Sequence, residues 1–214
     1  MKQLIKKVMS LIYPGELIIQ RVNVQDSKVA LTFDDGPHPV NTPKLLAVLE
    51  RESIKATFFC SGAECEKYPG LIKEVSNRGH EIGNHSFRHK KLKEVGAKEY
   101  QEDILRTNEI IHKNIGIVPK LFRSPYGELN LGILRIVRGN KMLYTGWTID
   151  SNDSYIKGKG QLIQYLSKQD IRKGDILLFH EDYEHTIEAM PEIIGLLREK
   201  GFGFETVSGL KDLK

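Results

Sequence analysis

Leu31-Thr32-Phe33-Asp34-Asp35-Gly36-Pro37 decides the fold, because an apolar strand here runs straight into two adjacent carboxylates and a forced turn. Val29-Ala30-Leu31-Thr32-Phe33 is β-branched and aromatic, the composition of a buried strand. Pro37 cannot donate to a strand ladder and Gly36 supplies unusual backbone angles, so the strand stops there. Two acids side by side at a strand end repel each other and lose hydration. A metal ion or an arginine relieves both costs, and the rest of the chain offers both.

Outward from this stretch, the pattern alternates. Thr42-Pro43 reads as an N-cap followed by proline at the first helical position, and Leu45, Leu46 and Leu49 make a helical apolar stripe. Lys55 to Phe59 reads as a strand, Glu66 to Asn77 as a helix with Pro69 in its first turn, and His80 to Asn84 as a short strand. The same pattern predicts helices over 98–113, 131–138, 161–168 and 192–200, and strands over 120–122, 142–149, 176–179 and 202–207. Such alternation demands parallel strands with helices packed outside, and about seven units favour a closed or nearly closed barrel over an open doubly wound sheet.

At 214 residues, 40% hydrophobic and 28% charged, the chain is ordinary for a soluble globular protein of one large domain or two small ones. A net charge of +4 is spread along the sequence without basic clusters or interleaved aromatics, which excludes a nucleic-acid binder. Cys60 and Cys65 are too few for a disulfide scaffold and read as a strand thiol and a helix-start thiol. Met1 to Lys7 begins basic, but the apolar run Val8 to Ile12 is too short for a signal-peptide core and is cut by Pro14, Gly15 and Glu16. No stretch holds the 18 apolar residues of a membrane span. The chain therefore reads as unexported, cytoplasmic or peripheral on the inner membrane face. Its first residues are either an interfacial foot making peripheral membrane contact or a frayed or edge-packed start.

The polar residues fall at strand ends. Asp34 and Asp35 follow the first strand, His85 and His89 the third, Arg123 the Leu121-Phe122 strand, Asp150 and Asp153 the Trp147 strand, and His180 the Leu178-Phe179 strand. Five strands thus deliver ionisable groups at their C-terminal ends, the face on which barrel enzymes build their sites. His85-Ser86-Phe87-Arg88-His89 spaces two imidazoles so that one tight loop aims both at a single ion, and a strand-end carboxylate completes a two-His, one-carboxylate set. That set also suits non-haem iron oxygenases, which need no further carboxylate, arginine and histidine around the ion.

The stretches Thr32 to Pro37, His85 to His89, Arg123-Ser124-Pro125-Tyr126-Gly127, Asp150-Ser151-Asn152-Asp153 and Leu177-Leu178-Phe179-His180 resemble the polysaccharide deacetylases, carbohydrate esterase family 4, which share the nodulation-factor deacetylase homology domain. Ala56 to Phe59 and Gly79 to His85 also look like family sequence, so the resemblance covers roughly Val29 to Val207. It implies an α/β fold, a distorted (β/α)7-type barrel in a single catalytic domain over 25–214 behind an N-terminal extension, 1–24. It also implies a divalent metal, usually zinc. Carried over, Asp35, His85 and His89 hold the metal, Asp34 is the general base oriented by Arg123, and the Tyr126 backbone N–H stabilises the oxyanion. His180 is the general acid, tuned by Asp153 or, as second choice, Asp150. Two departures stand out: Ser154 follows Asp153 where the family has Trp, with Tyr155 a substitute, and Glu181 follows His180 where Asp is frequent, a change expected to matter little.

The expected function is a metal-dependent amidohydrolase that removes N-acetyl groups from N-acetylhexosamine units of an oligosaccharide, polysaccharide or glycolipid. An amide needs a polarised carbonyl, a base for water and an acid for the leaving amine, and the set above divides these tasks. The rival within catalysis is deformylation or deacetylation of a lipid-linked aminosugar at the cytoplasmic membrane face. The rival of another class is a catalytically silent sugar-binding relative. Of the remaining residues, His38 reads as a turn histidine, His80 as a buried hydrogen-bonder, His112 and His185 as solvated, and Trp147 as core.

Overall fold

In the computed structural model, which describes residues 17–212, the strand centred on Leu31 runs from Lys28 to Asp34 and lies inside a single parallel sheet. In chain order the strands are β1 (Ile18–Ile19), β2 (Lys28–Asp34), β3 (Thr57–Cys60), β4 (Glu81–Asn84), β5 (Leu121–Phe122), β6 (Leu143–Thr145), β7 (Ile149–Asp150), β8 (Ile176–His180) and β9 (Gly203–Phe204). Their order is β1-β6-β5-β4-β3-β2-β8-β7, with β9 paired to the start of β2, and every ladder is parallel. Among the described residues β1 and β7 share no ladder, so the barrel is distorted and open between them.

The helices pack outside, as parallel strands require. The first, α1 (Asn41–Arg51), buries Leu45, Leu46 and Leu49 completely. Each such leucine contributes about 1.5–3 kcal/mol of apolar burial. Inside, the Phe33 ring lies 5.4 Å from Phe58 and 5.7 Å from Phe179, so neighbouring strands are keyed by aromatic contact.

The register explains why distant residues converge. Asp34 lies opposite His180 on β8 and Phe59 on β3, Cys60 lies opposite Asn84, and Asn84 opposite Phe122. The strands end level, so the residues that follow them (Asp35, His85 and Arg123) emerge on one face.

Several boundaries differ from expectation. Met142 to Ile149 is not one strand: Gly146-Trp147-Thr148 separates β6, beside β5, from β7, beside β8. The helix expected over 66–77 is two, α2 (Gly62–Lys67) and α3 (Pro69–Asn77), because proline disfavours helical angles at the preceding residue and Tyr68 sits at φ −125°, ψ 61°. The long helix starts earlier, spanning Leu92–Ile115 with a break at Gly96. Phe202 to Val207 yields only the two residues of β9, then a short helix, Val207–Leu210, capped by the Thr206 hydroxyl accepting from Gly209 N–H at 3.0 Å. Residues 17–24, within the segment assigned to an extension, contribute β1, which was too short to announce itself by alternation. The basic start and its membrane role lie outside the described residues. No described helix is long and apolar enough to cross a membrane.

Candidate active site

Arg123 is fully buried and still meets acceptors on every side. Nη1 donates to Asp34 Oδ1 and to Thr32 Oγ1, each at 2.7 Å, Nη2 to the Gly146 carbonyl at 3.0 Å and Nε to the Thr145 carbonyl at 3.3 Å. Its guanidinium lies 4.0 Å from the centre of the Phe59 ring. A buried charge survives only when paired and hydrogen-bonded, and this one is both. Asp34 is held by one oxygen, while its other oxygen lies 3.7 Å from His85 Nε2.

Asp35, His85 and His89 form a cluster whose ligating atoms all lie within 4.8 Å of one another. Asp35 Oδ1 is 3.4 Å from His85 Nε2 and 3.1 Å from His89 Nε2. The His85 Nδ1 bonds the Arg123 carbonyl at 2.7 Å, which makes Nδ1 the protonated nitrogen and leaves Nε2 as the lone-pair donor. Burial opposes ionisation of Asp35, but the two imidazoles hold its carboxyl below the usual carboxylate range. Burial also opposes protonation of His85, and the Asp34 and Asp35 carboxylates overcome it and raise its pKa. One carboxylate and two neutral imidazoles, converging with open positions, are the donor set of a hydrolytic zinc site, so these residues fit a divalent ion. Three of the residues building it adopt left-handed backbone: Asp35 (φ 73°), Ser86 (φ 63°) and His89 (φ 53°). Such strain costs about 1–3 kcal/mol each and persists where surrounding bonds impose it. Buried Asn84 supplies part of that restraint, accepting from Ser86 N–H at 2.8 Å while donating to the Ile104 carbonyl at 2.9 Å.

Across the strand end, His180 Nδ1 bonds Asp153 Oδ1 at 2.7 Å. Asp153 is fully buried and its other oxygen accepts from His180 N–H at 2.8 Å and Thr186 Oγ1 at 3.0 Å. Asp150 takes a different place, accepting from Asn152 N–H at 2.9 Å to close a turn at the cleft. Burial would lower the His180 pKa, but the Asp153 carboxylate overrides it and raises the value from 6.5 to about 9. The folded value lies above the unfolded one, so the stabilisation from this pair is complete below pH 6.5 and is lost as pH rises through about 9. Nuclear magnetic resonance titration of the metal-free protein is expected to find His180 near 9, falling back toward 6.5 in Asp153→Asn. An unchanged midpoint in that variant would separate the two residues.

A cleft of about 430 Å³ opens above these groups, walled by Tyr126, Trp147, Ser154, Tyr155 and Tyr183. Trp147 is core on one side only: half-buried in the loop between β6 and β7, it packs against the cluster that holds Phe59 and Leu121, and it also lies over Gly127, where any Cβ would clash with it. Strand composition around Trp147 hid the loop, and nothing in the pattern pointed to Tyr183. Tyr126 stands at φ 58°, its side chain 64% exposed and its ring centre 4.7 Å from that of His89. Ser154 leaves the wall to Tyr155, which is 81% exposed.

Glu181 has more consequence than its sequence position suggested. It is buried beneath Gly36, with Oε2 on the Thr42 hydroxyl and no hydrogen-bond partner for Oε1 among the described residues, and burial pushes its pKa up to about 8. Thr42 is thus occupied with Glu181 and His38 N–H instead of capping α1, and His38 Nδ1 accepts from Asn41 N–H at 3.1 Å in its stead. His185 is not solvated but bonds the Asp153 carbonyl at 3.0 Å, whereas His80 is a buried acceptor for Ala56 N–H at 3.2 Å.

Residues 21–145 match the sequence profile of the family described as polysaccharide deacetylase. A peptidoglycan-N-acetylglucosamine deacetylase of Bacillus cereus is 34% identical over 191 residues, 86% of this chain and 68% of that protein. The crystal structure of the Bc1960 peptidoglycan N-acetylglucosamine deacetylase, bound to a naphthalenyl N-hydroxybenzamide, superposes with a TM-score of 0.86 at 31% identity, covering 94% of this chain and 95% of that one. BA3943, a family 4 carbohydrate esterase pseudoenzyme from Bacillus anthracis, superposes at 0.85 with 26% identity, covering 92% and 69%. A profile spanning more than half of the sequence and a relative a third identical along most of both chains make the assignment plain: the chain belongs to the polysaccharide deacetylase family.

Proposed function

We propose that this chain hydrolyses the N-acetyl groups of N-acetylhexosamine units in a glycan, with peptidoglycan the leading substrate. The observation that carries the reading is the pairing of two restrained groups, one base and one acid, at the edge of one candidate metal cluster. Asp34, clamped by Arg123, and His180, clamped by Asp153, lie side by side on β2 and β8 with Asp35, His85 and His89 beside them. The relatives named as peptidoglycan deacetylases support the substrate class. The N-hydroxybenzamide on Bc1960 is a hydroxamic acid, a metal-chelating group, which supports the metal dependence.

A dication held by Asp35, His85 and His89 would supply Lewis-acid polarisation of the acyl oxygen and lower the pKa of water. Asp34 accepts the proton of the attacking water through the oxygen that Arg123 leaves free. The Tyr126 backbone N–H, given this role by the family resemblance and carried on a turn whose ring lies 4.7 Å from that of His89, would donate to the developing oxyanion, a donor worth about 3 kcal/mol in comparable acyl-transfer sites. His180, kept protonated by Asp153 near neutral pH, gives its proton to the departing amine. The silent-relative reading has a counterpart in BA3943. Here, however, Asp34, Asp35, His85, His89, Arg123, Asp153 and His180 are all present and mutually bonded or clustered.

The zinc-loaded protein is expected to release acetate from peptidoglycan fragments or chitin oligomers; a lipid-linked aminosugar in the same panel, assayed for acetate and formate, tests the glycolipid rival. Asp35→Ala, His85→Ala and His89→Ala should each lose the ion and the activity together, measured as bound zinc per chain. Full zinc occupancy in all three variants would refute the ligand set, and zinc-replete protein silent on every substrate would refute the activity.

A further inference from the structure

The loop that carries the two histidines of the metal cluster is held unequally at its ends. His85 follows β4 directly, its N–H donating to the Cys60 carbonyl at 2.9 Å and its Nδ1 bonding the Arg123 carbonyl at 2.7 Å. His89 has no such tether: among the described residues its Nδ1 makes no hydrogen bond, and its side chain is 31% exposed. It nevertheless stands in left-handed backbone at φ 53°, a conformation that persists only where the surroundings impose it.

Those surroundings are one face of the long helix, α4 (Leu92–Ile115), along which Glu99, Asp103 and Arg106 recur at helical spacing. The Arg106 guanidinium lies 3.6 Å from the centre of the Phe87 ring, in the middle of the histidine loop. Arg88, the residue before His89, donates from Nε to Asp103 Oδ1 at 2.9 Å and reaches Glu99 through Nη1. Asp103 is only 3% exposed, and Arg88 is the cation that pairs with it. Burial pushes the Asp103 carboxyl up, and Arg88 opposes that shift. A buried acid carries a desolvation cost that an apolar side chain of similar volume avoids, so stability alone would be served as well by leucine. What the ion pair adds is a fixed point one residue away from a metal ligand.

We propose that Asp103 and Arg88 are positioning residues for the metal cluster: the pair pins residue 88 to α4 and so aims the His89 ring at the site it shares with Asp35 and His85. The proposal rests on the ligand set of the deacetylase reading and extends the site to a helix that contributes no ligand to it.

D103L and R88Q, each titrated with zinc by calorimetry at neutral pH, should bind it about 10–100-fold more weakly than the unmodified chain, the usual cost of losing a group behind a metal ligand. The double variant should bind no more weakly than the worse of the two, because the side chains act as one unit. Urea unfolding of the metal-free protein separates positioning from packing. Leucine removes a buried charge, so D103L should unfold at the same urea concentration as the unmodified chain or at a higher one, while its zinc affinity falls. In nuclear magnetic resonance spectra of metal-free D103L, the His89 ring signals should move and those of His85 should stay. Unchanged zinc affinity in both single variants overturns the proposal, as does an unmoved His89 ring, a multiplied loss in the double variant, or a zinc loss matched by a lower urea midpoint in D103L. Each of those results leaves the ligand set standing. An unmodified chain that takes up no zinc overturns the ligand set itself, and this proposal with it.

Discussion

Asp34→Asn is expected to bind zinc as the unmodified chain does and to lose turnover by about 10²–10⁴-fold, the usual contribution of a positioned general base. Asparagine is isosteric, and its carbonyl oxygen still accepts from Arg123 Nη1 where Asp34 Oδ1 does at 2.7 Å. Its amide cannot take a proton from water. Asp35, His85 and His89 remain in place, so the ion stays while the chemistry stops. Zinc per chain and the rate of acetate release, read on the same preparation, separate the two effects. A near-normal rate would show that another group receives the proton, whereas loss of zinc would mean that Asp34 belongs to the ligand set.

The alternation of strands and helices was legible because buried parallel strands are written as unbroken apolar runs, of which Val29 to Phe33 and Ile176 to Phe179 are the clearest. The site was legible for a related reason. Its charged residues fall directly after such runs, and a level parallel register gathers them on one face. What stayed hidden was settled by tertiary contacts. The run from Met142 to Ile149 looks continuous, yet its middle carbonyls at 145 and 146 accept from Arg123, and the chain crosses there from one part of the sheet to another. Trp147 is carried into the cleft by that crossing. Thr32 and Thr186 sit in an apolar strand and an amphipathic helix, and their hydroxyls acquire meaning only from Arg123 and Asp153. The choice between Asp150 and Asp153 as partner of His180 turned likewise on which carboxylate the loop folds inward.

Arg123→Met should cost about 3–5 kcal/mol of stability, the penalty for leaving one member of a buried ion pair uncompensated. The methionine fills much of the volume against Phe59, so the loss is chiefly electrostatic and hydrogen-bonding. Asp34 would lose the buried cation that bonds it, and the carbonyls of Thr145 and Gly146 would lose their donor. Urea unfolding at neutral pH measures the change. The same substitution made on Asp34→Asn should cost distinctly less, with a coupling of about 0.5–3 kcal/mol, because no buried negative charge is then left behind. Strict additivity of the two substitutions would show that Arg123 stabilises the β6–β7 crossing by its carbonyl contacts alone and not by holding the base. Coupling of the expected size would tie the stability of the sheet to the group that activates water, and a more stable chain could not then be obtained by removing the charge pair without losing the catalyst.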